Sequence, residues 1–410
     1  MGKVLSTQDI VEKVILVGVW LDNGEDEESL LDELEELVKT AGGVVVGRII
    51  QSRDQFHPAT YIGKGKLDEI RILINELDAT GIVCDDELSP AQLKNLEDEL
   101  NTKVMDRTMV ILDIFAARAN TSEGKIQVEM AQLKYRMTRL SGFGKALSRL
   151  GGGIGTRGPG EKKIETDRRI IRERISRLSV QLKEIEQHRQ TIRKKRKNIS
   201  TPIAAIVGYT NAGKSTLLNK LTDAGVLSED KLFATLDPTT RALIIPDGEK
   251  VLLTDTVGFI RKLPHHLIEA FKSTLQEAKF ADIIIHVVDS SNPDMDKHIK
   301  TVYEILESLE VGDKPIITLY NKSDLVQGSI CGIDTKAKQT IKVSAKTGEG
   351  LDVFLKELQY IIRDGYQKIE QLFAYSDAGK IQDIREYGKI LKEEYREDGI
   401  YVEALMPKQY

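Results

Sequence analysis

Residues 203–222 read IAAIVGYTNAGKSTLLNKLT and decide the fold of the region around them. An apolar run typical of a buried strand leads into a loop that fits G-x-x-x-x-G-K-S/T, and a segment with helical spacing follows. In such a loop, backbone N–H groups and a helix N-terminus surround phosphate oxygens. Lys214 is predicted to reach the β- and γ-phosphates of a nucleotide, and the Ser215 hydroxyl to hold Mg²⁺. The predicted phosphate loop comprises Gly208, Tyr209, Thr210, Asn211, Ala212, Gly213, Lys214 and Ser215.

Three shorter motifs follow in the order typical of guanine-nucleotide-binding domains. DTVG (255–258) ends a predicted strand, so that Asp255 would orient Mg²⁺ through water and the Gly258 N–H would contact the γ-phosphate. NKSD (321–324) offers the Asp324 carboxylate to two guanine donors, a pair that adenine lacks. SAK (344–346) would meet the guanine O6 through backbone N–H. Each motif alone is compatible with an ordinary loop, but the ordered set predicts GTP binding. Its residues are Asp255, Thr256, Val257, Gly258, Asn321, Lys322, Ser323, Asp324, Ser344, Ala345 and Lys346.

A switch threonine is also expected between the phosphate loop and DTVG. The motif order is similar to that of the translation-factor-like GTPases of the Era/Obg side, and FATLDP (233–238) resembles the F-T-T-L-x-P switch of Obg-type GTPases. This resemblance implies that Thr235 is the Mg²⁺ ligand, whereas Thr239 and Thr240 are expected to serve only in a turn. It also implies that the neighbours of Thr235 lie beside the nucleotide, namely Phe233, Ala234, Leu236 and Asp237.

The residue after Gly258 is Phe259, where Ras-like enzymes carry the glutamine that orients the attacking water. A phenyl ring makes no such hydrogen bond, so intrinsic hydrolysis is predicted to be slow unless a partner completes the site. In K⁺-dependent GTPases a loop asparagine supplies a ligand to the cation, and Asn211 stands at the matching position. The alternative, that Asn211 only satisfies loop backbone, stays open. The predicted catalytic residues are Lys214, Thr235, Gly258 and Asn211.

Composition restricts the class of protein. The chain has 410 residues, 40% hydrophobic and 30% charged, which predicts two to four folded domains. No run of about 18 uncharged apolar residues occurs, so no membrane-spanning helix is expected. The N-terminus lacks the apolar region of a secretion signal. Only Cys84 and Cys331 are present, which argues against a disulfide framework and a cysteine-based zinc site and fits the cytoplasm.

Changes in pattern divide the chain into four parts. Residues 1–118 alternate strands and helices, which predicts a small α/β domain with a mostly parallel sheet. Residues 119–199 predict a long helical hairpin with a glycine-rich loop. Residues 200–365 predict a P-loop GTPase domain, an α/β fold with a doubly wound, mostly parallel sheet. Residues 366–410 predict a small α+β tail with one helix and two strands.

Positive charge is concentrated in the predicted hairpin. Residues 130–200 carry a net charge of +14, whereas the remainder carries −19. A basic block in an acidic protein is a candidate nucleic-acid surface. The alternative is a solvated helix pair with a loose loop, and we favour RNA because residues 130–160 contain no acidic side chain.

Six further segments resemble the HflX family of bacterial ribosome-associated GTPases, and with the GTPase motifs they cover nearly the whole chain. The resemblance implies an N-terminal α/β domain, a two-helix hairpin, a G domain and a variable C-terminal domain. It also implies binding to the 50S ribosomal subunit and splitting of stalled 70S ribosomes. The segments are ATYIGKGK (59–66), DDELSPAQLKNL (85–96), DRTMVILDIF (106–115), EGKIQVEMAQL (123–133), SRLGGGIGTRGPGE (148–161) and ETDRRIIRER (165–174).

The basic block then becomes an arm with a cationic tip, whose Arg149 and Arg157 are predicted to contact rRNA phosphates. The favoured function is GTP hydrolysis coupled to ribosome binding by a cytoplasmic monomer that binds GTP and GDP, requires Mg²⁺ and is partly bound to ribosomes. Two alternatives stay open: an RNA-remodelling NTPase that also accepts ATP, and a GTP-binding scaffold with little turnover.

Overall fold

The computed structural model describes residues 11–21, 29–148, 159–197, 201–222, 232–246, 248–264, 267, 277–326, 334–364 and 366–407. Arg149, Arg157 and most of the predicted glycine-rich loop lie outside the described residues. The chain forms two compact units. The first contains residues up to 182 together with 231–233 and 262–271, and the second contains the rest. Within the described residues, no helix combines the length and the apolar character needed to cross a bilayer.

The N-terminal domain is built on a four-stranded, fully parallel sheet in the order β2-β1-β3-β4. Its central strand β1 is buried at every position from 14 to 19 because both faces are covered by other elements. Ser89 begins α3 with a capping box, in which its hydroxyl accepts from the Gln92 N–H and the Gln92 side chain accepts from the Ser89 N–H. The strands are β1 (Lys13–Trp20), β2 (Val44–Ser52), β3 (Gly81–Cys84) and β4 (Lys103–Asp106). The helices are α1 (Asp32–Thr40), α2 (Lys64–Glu76), α3 (Pro90–Leu100) and α4 (Arg107–Arg118).

Two long helices follow, α5 (Ser122–Ser148) and α6 (Pro159–Lys197). Leu178 of the second helix is buried. The helices contact each other through Arg174, which donates to both carboxylate oxygens of Glu129, and through Ser179 and Met130. The Tyr135 hydroxyl of α5 donates to Asp106, the buried N-cap of α4, over 2.6 Å. The base of this arm is therefore anchored to the N-terminal domain.

The G domain contains a six-stranded sheet in the order β10-β9-β8-β5-β7-β6. All neighbouring strands are parallel except β6 and β7, which pair antiparallel. The phosphate loop lies between β5 and α7, at the carboxyl end of the sheet, where such folds bind ligands. The strands are β5 (Ile203–Gly208), β6 (Thr239–Ile244), β7 (Lys250–Asp255), β8 (Ile283–Asp289), β9 (Ile316–Asn321) and β10 (Gln339–Lys342). Three helices of this domain lie entirely within the described residues: α7 (Lys214–Thr222), α8 (Met295–Ser308) and α9 (Leu351–Asp364).

The C-terminal domain is an antiparallel sheet, β11-β13-β12, covered on one face by α10. The sequence predicted the helix and the last two strands but missed β11. Its elements are β11 (Tyr366–Phe373), α10 (Ala378–Tyr387), β12 (Lys389–Arg396) and β13 (Gly399–Pro407).

Candidate nucleotide-binding site

Lys214, the residue predicted to reach the nucleotide phosphates, holds the phosphate loop in place. Lys214 is buried, and its ammonium donates to the carbonyl oxygens of Gly208 at 3.1 Å and Tyr209 at 2.7 Å. Burial lowers the pKa of Lys214 to about 8, against the opposing effect of Asp255. Gly208 has φ +155°, and a Cβ there would lie 2.2 Å from the Val287 carbonyl oxygen. The loop therefore needs glycine at this position to pass so close to β8.

Three oxygen-bearing side chains predicted to serve Mg²⁺ come together beside the loop. The Ser215 hydroxyl lies 2.7 Å from the Thr235 hydroxyl and donates to Asp255 over 2.8 Å. The other carboxylate oxygen of Asp255 is buried and has no hydrogen-bond partner in the described part of the chain. Burial raises the pKa of this carboxyl, and Lys214 opposes the shift. Hard oxygen donors, one of them an unsatisfied carboxylate oxygen, fit a magnesium ion.

Two backbone hydrogen bonds join Phe259, the residue after the DTVG segment, to the phosphate loop. The Phe259 N–H donates to the Gly208 carbonyl (3.1 Å), and the Thr210 N–H donates to the Phe259 carbonyl (2.7 Å). Gly258 lies so close that an added Cβ would meet the Thr210 Cα and the Lys214 ammonium at 2.9 Å. The Phe259 side chain is only 1% exposed. Its ring is therefore part of the packed domain and is not available to orient water.

The two guanine motifs are joined by side-chain hydrogen bonds. The Asn321 amide donates to the Ala212 carbonyl (2.8 Å), and its oxygen accepts from the Ala345 N–H (2.9 Å). The Ser344 hydroxyl donates to the exposed Asp324 carboxylate over 2.6 Å. This arrangement ties NKSD and SAK to the phosphate loop and leaves the Asp324 carboxylate exposed at the surface.

Sequence reasoning missed Asp289, the last residue of β8. Its carboxylate pairs with the Lys322 ammonium at 2.7 Å and also accepts from the Ser291 hydroxyl. An aspartate at the end of a buried strand of the same sheet was the available clue, because the carboxyl ends of parallel strands share one edge. Asp289 therefore orients the lysine of NKSD.

Two predicted contact residues have side chains committed elsewhere. The Tyr209 ring is 6% exposed and stacks on His298. Phe233 belongs to the first unit, where its ring packs edge-on against Phe115 at 4.7 Å, with a left-handed φ of +53°. Any contact of these two residues with a nucleotide would be made by backbone. Asn211 also has a left-handed φ, +62°, and is exposed.

Lys262, four residues after Gly258, also belongs to the first unit. Its ammonium pairs with Asp85 at 2.7 Å and Asp86 at 2.9 Å. Burial lowers the pKa of Lys262, but the two carboxylates outweigh it and the net shift is upward. The chain therefore passes from the second unit into the first between Arg261 and Lys262.

Sequence comparisons with known proteins agree with these motifs. Family models described as the N-terminal region and the middle region of a GTP-binding GTPase match residues 28–116 and 118–196, and one described as a 50S ribosome-binding GTPase matches 203–322. The GTPase HflX of Lacrimispora saccharolytica is 61% identical over 409 residues, covering 100% of this chain and 97% of that protein. The GTPase HflX of Escherichia coli K12 is 42% identical over 353 residues, covering 85% and 83%. A GTP-binding protein from Sulfolobus solfataricus, solved with GDP, is 25% identical with a TM-score of 0.46, covering 86% of this chain and 99% of that one.

Proposed function

The chain belongs to the HflX family of GTPases, and from this premise we propose that it binds the 50S ribosomal subunit through its basic arm and splits stalled 70S ribosomes. GTP hydrolysis is its activity. The G-domain family that it matches is described as ribosome-binding, which supports the choice of partner.

The distribution of charge is the observation that carries this proposal. The region containing the arm has a net charge of +14, and the rest of the chain has −19. On the described part of α6, Arg169, Arg172 and Arg177 are exposed, Arg177 at 73%. Because rRNA is a dense array of phosphates, the arm is the part of the molecule that it attracts, and the acidic remainder is repelled.

The chemistry follows from the side chains beside the phosphate loop. Lys214 would neutralise the β- and γ-phosphate oxygens, and the Gly258 N–H would donate to the γ-phosphate. Asp324, held by Ser344, would select guanine. Ser215 and Thr235 would hold Mg²⁺, with Asp255 acting through water, and the ion supplies charge neutralisation on the β- and γ-phosphates when bound.

None of these residues is expected to orient the attacking water, because the position of the orienting glutamine is occupied by the buried Phe259. We therefore expect slow hydrolysis by the protein alone and acceleration by the 50S subunit. Asn211 is the candidate ligand for a K⁺ ion that would stabilise negative charge in the transition state.

Co-sedimentation of the full chain with purified 30S, 50S and 70S particles tests the function. We expect stable binding to 50S with GTP or a non-hydrolysable analogue, weaker binding with GDP, and conversion of 70S to subunits with GTP. Equal binding to all three particles, or none, would contradict the proposal. Competition by excess ATP separates it from an RNA-remodelling NTPase, and phosphate release in the presence of 50S separates it from a scaffold. A cytoplasmic monomer, part of it on ribosomes, is the state that we propose in the cell.

A further inference from the structure

Tyr209, the second residue of the phosphate loop, makes two side-chain contacts that phosphate binding does not require. Its hydroxyl accepts a hydrogen bond from the Arg261 backbone N–H over 2.9 Å. Its ring stacks on His298 of α8, with ring centroids 3.7 Å apart and an interplanar angle of 9°. The side chain is thus fixed at both its apolar face and its polar tip.

These contacts extend a pairing between two backbone segments. The hydrogen bonds of Phe259 with Gly208 and Thr210 join the phosphate loop to the segment after DTVG. The Tyr209 hydroxyl continues this pairing by one more bond, to residue 261. Three hydrogen bonds therefore hold this segment on the phosphate loop, two at Phe259 and one at Arg261.

Where the phosphate loop pairs with the segment after DTVG, the residues around it are also placed as expected for a complex with a nucleoside triphosphate. The Thr235 and Ser215 hydroxyls lie 2.7 Å apart, close enough to share one cation. Gly258 lies directly against Thr210 and Lys214. In this arrangement the Gly258 N–H is held where a γ-phosphate would meet it, a contact that GTP offers and GDP lacks.

We propose that Tyr209 is a positioning residue that holds the 258–261 segment in its GTP-competent place and so favours GTP over GDP. It acts through Gly258 and touches no reacting atom itself. His298 serves it as a flat, uncharged support at neutral pH, since burial lowers the pKa of that imidazole to about 4. This role concerns the free protein and does not depend on ribosome binding.

Replacing Tyr209 with phenylalanine tests the proposal, because it removes only the hydroxyl and keeps the stacked ring. The full-length variant is titrated with GDP and with a non-hydrolysable GTP analogue, and its single-turnover hydrolysis rate is measured without ribosomes. We expect analogue affinity to fall about two- to ten-fold, the effect of one neutral hydrogen bond, and the hydrolysis rate to fall with it. GDP affinity should change by less than about two-fold, since the Gly258 contact is absent there.

Tyr303→Phe is the matched control. It also removes one hydroxyl in the G domain, which donates to Asp334 at 2.7 Å, and it should leave the ratio of the two affinities unchanged. His298→Ala should shift the ratio in the same direction as Tyr209→Phe, whereas His298→Phe, which keeps a ring, should not. An unchanged ratio in Tyr209→Phe, or equal loss of both nucleotides, would overturn the proposal, because a residue that merely stabilises the loop moves both affinities together.

Discussion

The Ser344 hydroxyl donates a 2.6 Å hydrogen bond to the Asp324 carboxylate. This bond holds the pKa of Asp324 below its usual range, so the group is an anion throughout the neutral range. It also fixes the orientation of a carboxylate that is otherwise exposed. A planar anion in a fixed orientation matches the two parallel N–H donors of guanine.

Replacing Asp324 with asparagine should therefore weaken GTP binding by about ten-fold or more. The substitution exchanges one acceptor oxygen for a donor that faces the guanine amino group, and a hydrogen bond to a charged group contributes about 1.5–3 kcal/mol. Titration with a fluorescent GTP analogue measures the change. Asp313→Asn, at an exposed aspartate of the same domain, is the control for the altered charge. If Asp324→Asn binds GTP as tightly as the parent, Asp324 does not select the base.

The parts of this site that the sequence predicted are those whose contacts are local. Lys214 donates to carbonyl oxygens only five and six residues away. Both acceptors belong to the loop motif, so the motif alone predicts the shape of the loop. The Lys322–Asp289 pair and the Tyr209–Arg261 bond, the latter spanning 52 residues, depend on which strands are neighbours in the sheet. The order of β5, β7, β8 and β9 cannot be read from motif spacing, so these partners were missed.

Strand β11 was missed for a different reason. Ile369 and Phe373 point into the C-terminal core, and alternation would require an apolar residue between them at 371. That position is an exposed glutamine, while Leu372 on the opposite face is 40% exposed. The period-two pattern is therefore broken in the sequence, and the strand is defined by its pairing with β13.

Hydrolysis by the protein alone should be slow, and 50S subunits should accelerate it. The Phe259 ring is buried and forms no hydrogen bond that could orient the attacking water. If Asn211 binds K⁺, the rate in KCl should exceed the rate in NaCl, and Asn211→Ala should remove that difference. Phosphate release in both salts, with and without 50S, gives these rates, and Asn75→Ala, at an exposed asparagine of α2, is the control. Equal rates in the two salts would exclude the K⁺ site only; fast turnover by the free parent in any salt would exclude both ideas.

The anchor of the arm should contribute to stability. The Tyr135 hydroxyl and Arg139 both donate to the fully buried Asp106 carboxylate. Tyr135→Phe should lower the free energy of unfolding by about 1.5–3 kcal/mol, because it removes a hydrogen bond to a buried charge. Urea denaturation measures the loss, and Tyr360→Phe, at a 62% exposed tyrosine, should cost little. GTP affinity should not change in either variant, and a loss there would mean that the anchor also acts on the nucleotide site.

Acid should destabilise the G domain through His298. Burial lowers the pKa of this histidine from 6.5 to about 4, Arg261 adds to that shift, and Asp294 opposes it. Below pH 6.5 the unfolded chain takes up a proton that the folded domain refuses, so stability present above pH 6.5 is lost as the pH falls toward 4. At pH 5 the loss is about 2 kcal/mol. Urea denaturation at pH 7.5 and at pH 5 measures this loss. Between the two pH values, the free energy of unfolding of His298→Phe should fall by about 2 kcal/mol less than that of the parent. His188→Gln, at an exposed position, should lose as much as the parent.

The arm should govern ribosome binding by electrostatics. The region from 130 to 200 has a net charge of +14, and each phosphate contact releases counterions, so affinity for 50S should fall steeply with salt. Replacing Arg149 and Arg157 with alanine should lower both the affinity and the slope of its logarithm against the logarithm of salt concentration. GTP affinity of the free protein should be retained, because the phosphate loop begins about fifty residues further on. The double variant Lys300→Ala/Lys356→Ala makes the same change in charge at exposed positions of the G domain and should leave the slope near that of the parent.

Shortening the glycine-rich 151–160 segment should abolish 70S splitting while some 50S binding persists, if the tip must insert to displace contacts of the small subunit. Light scattering of 70S particles with GTP measures splitting, and a shortened protein that splits at the parent rate would show that the arm is a structural hairpin with a solvated basic face.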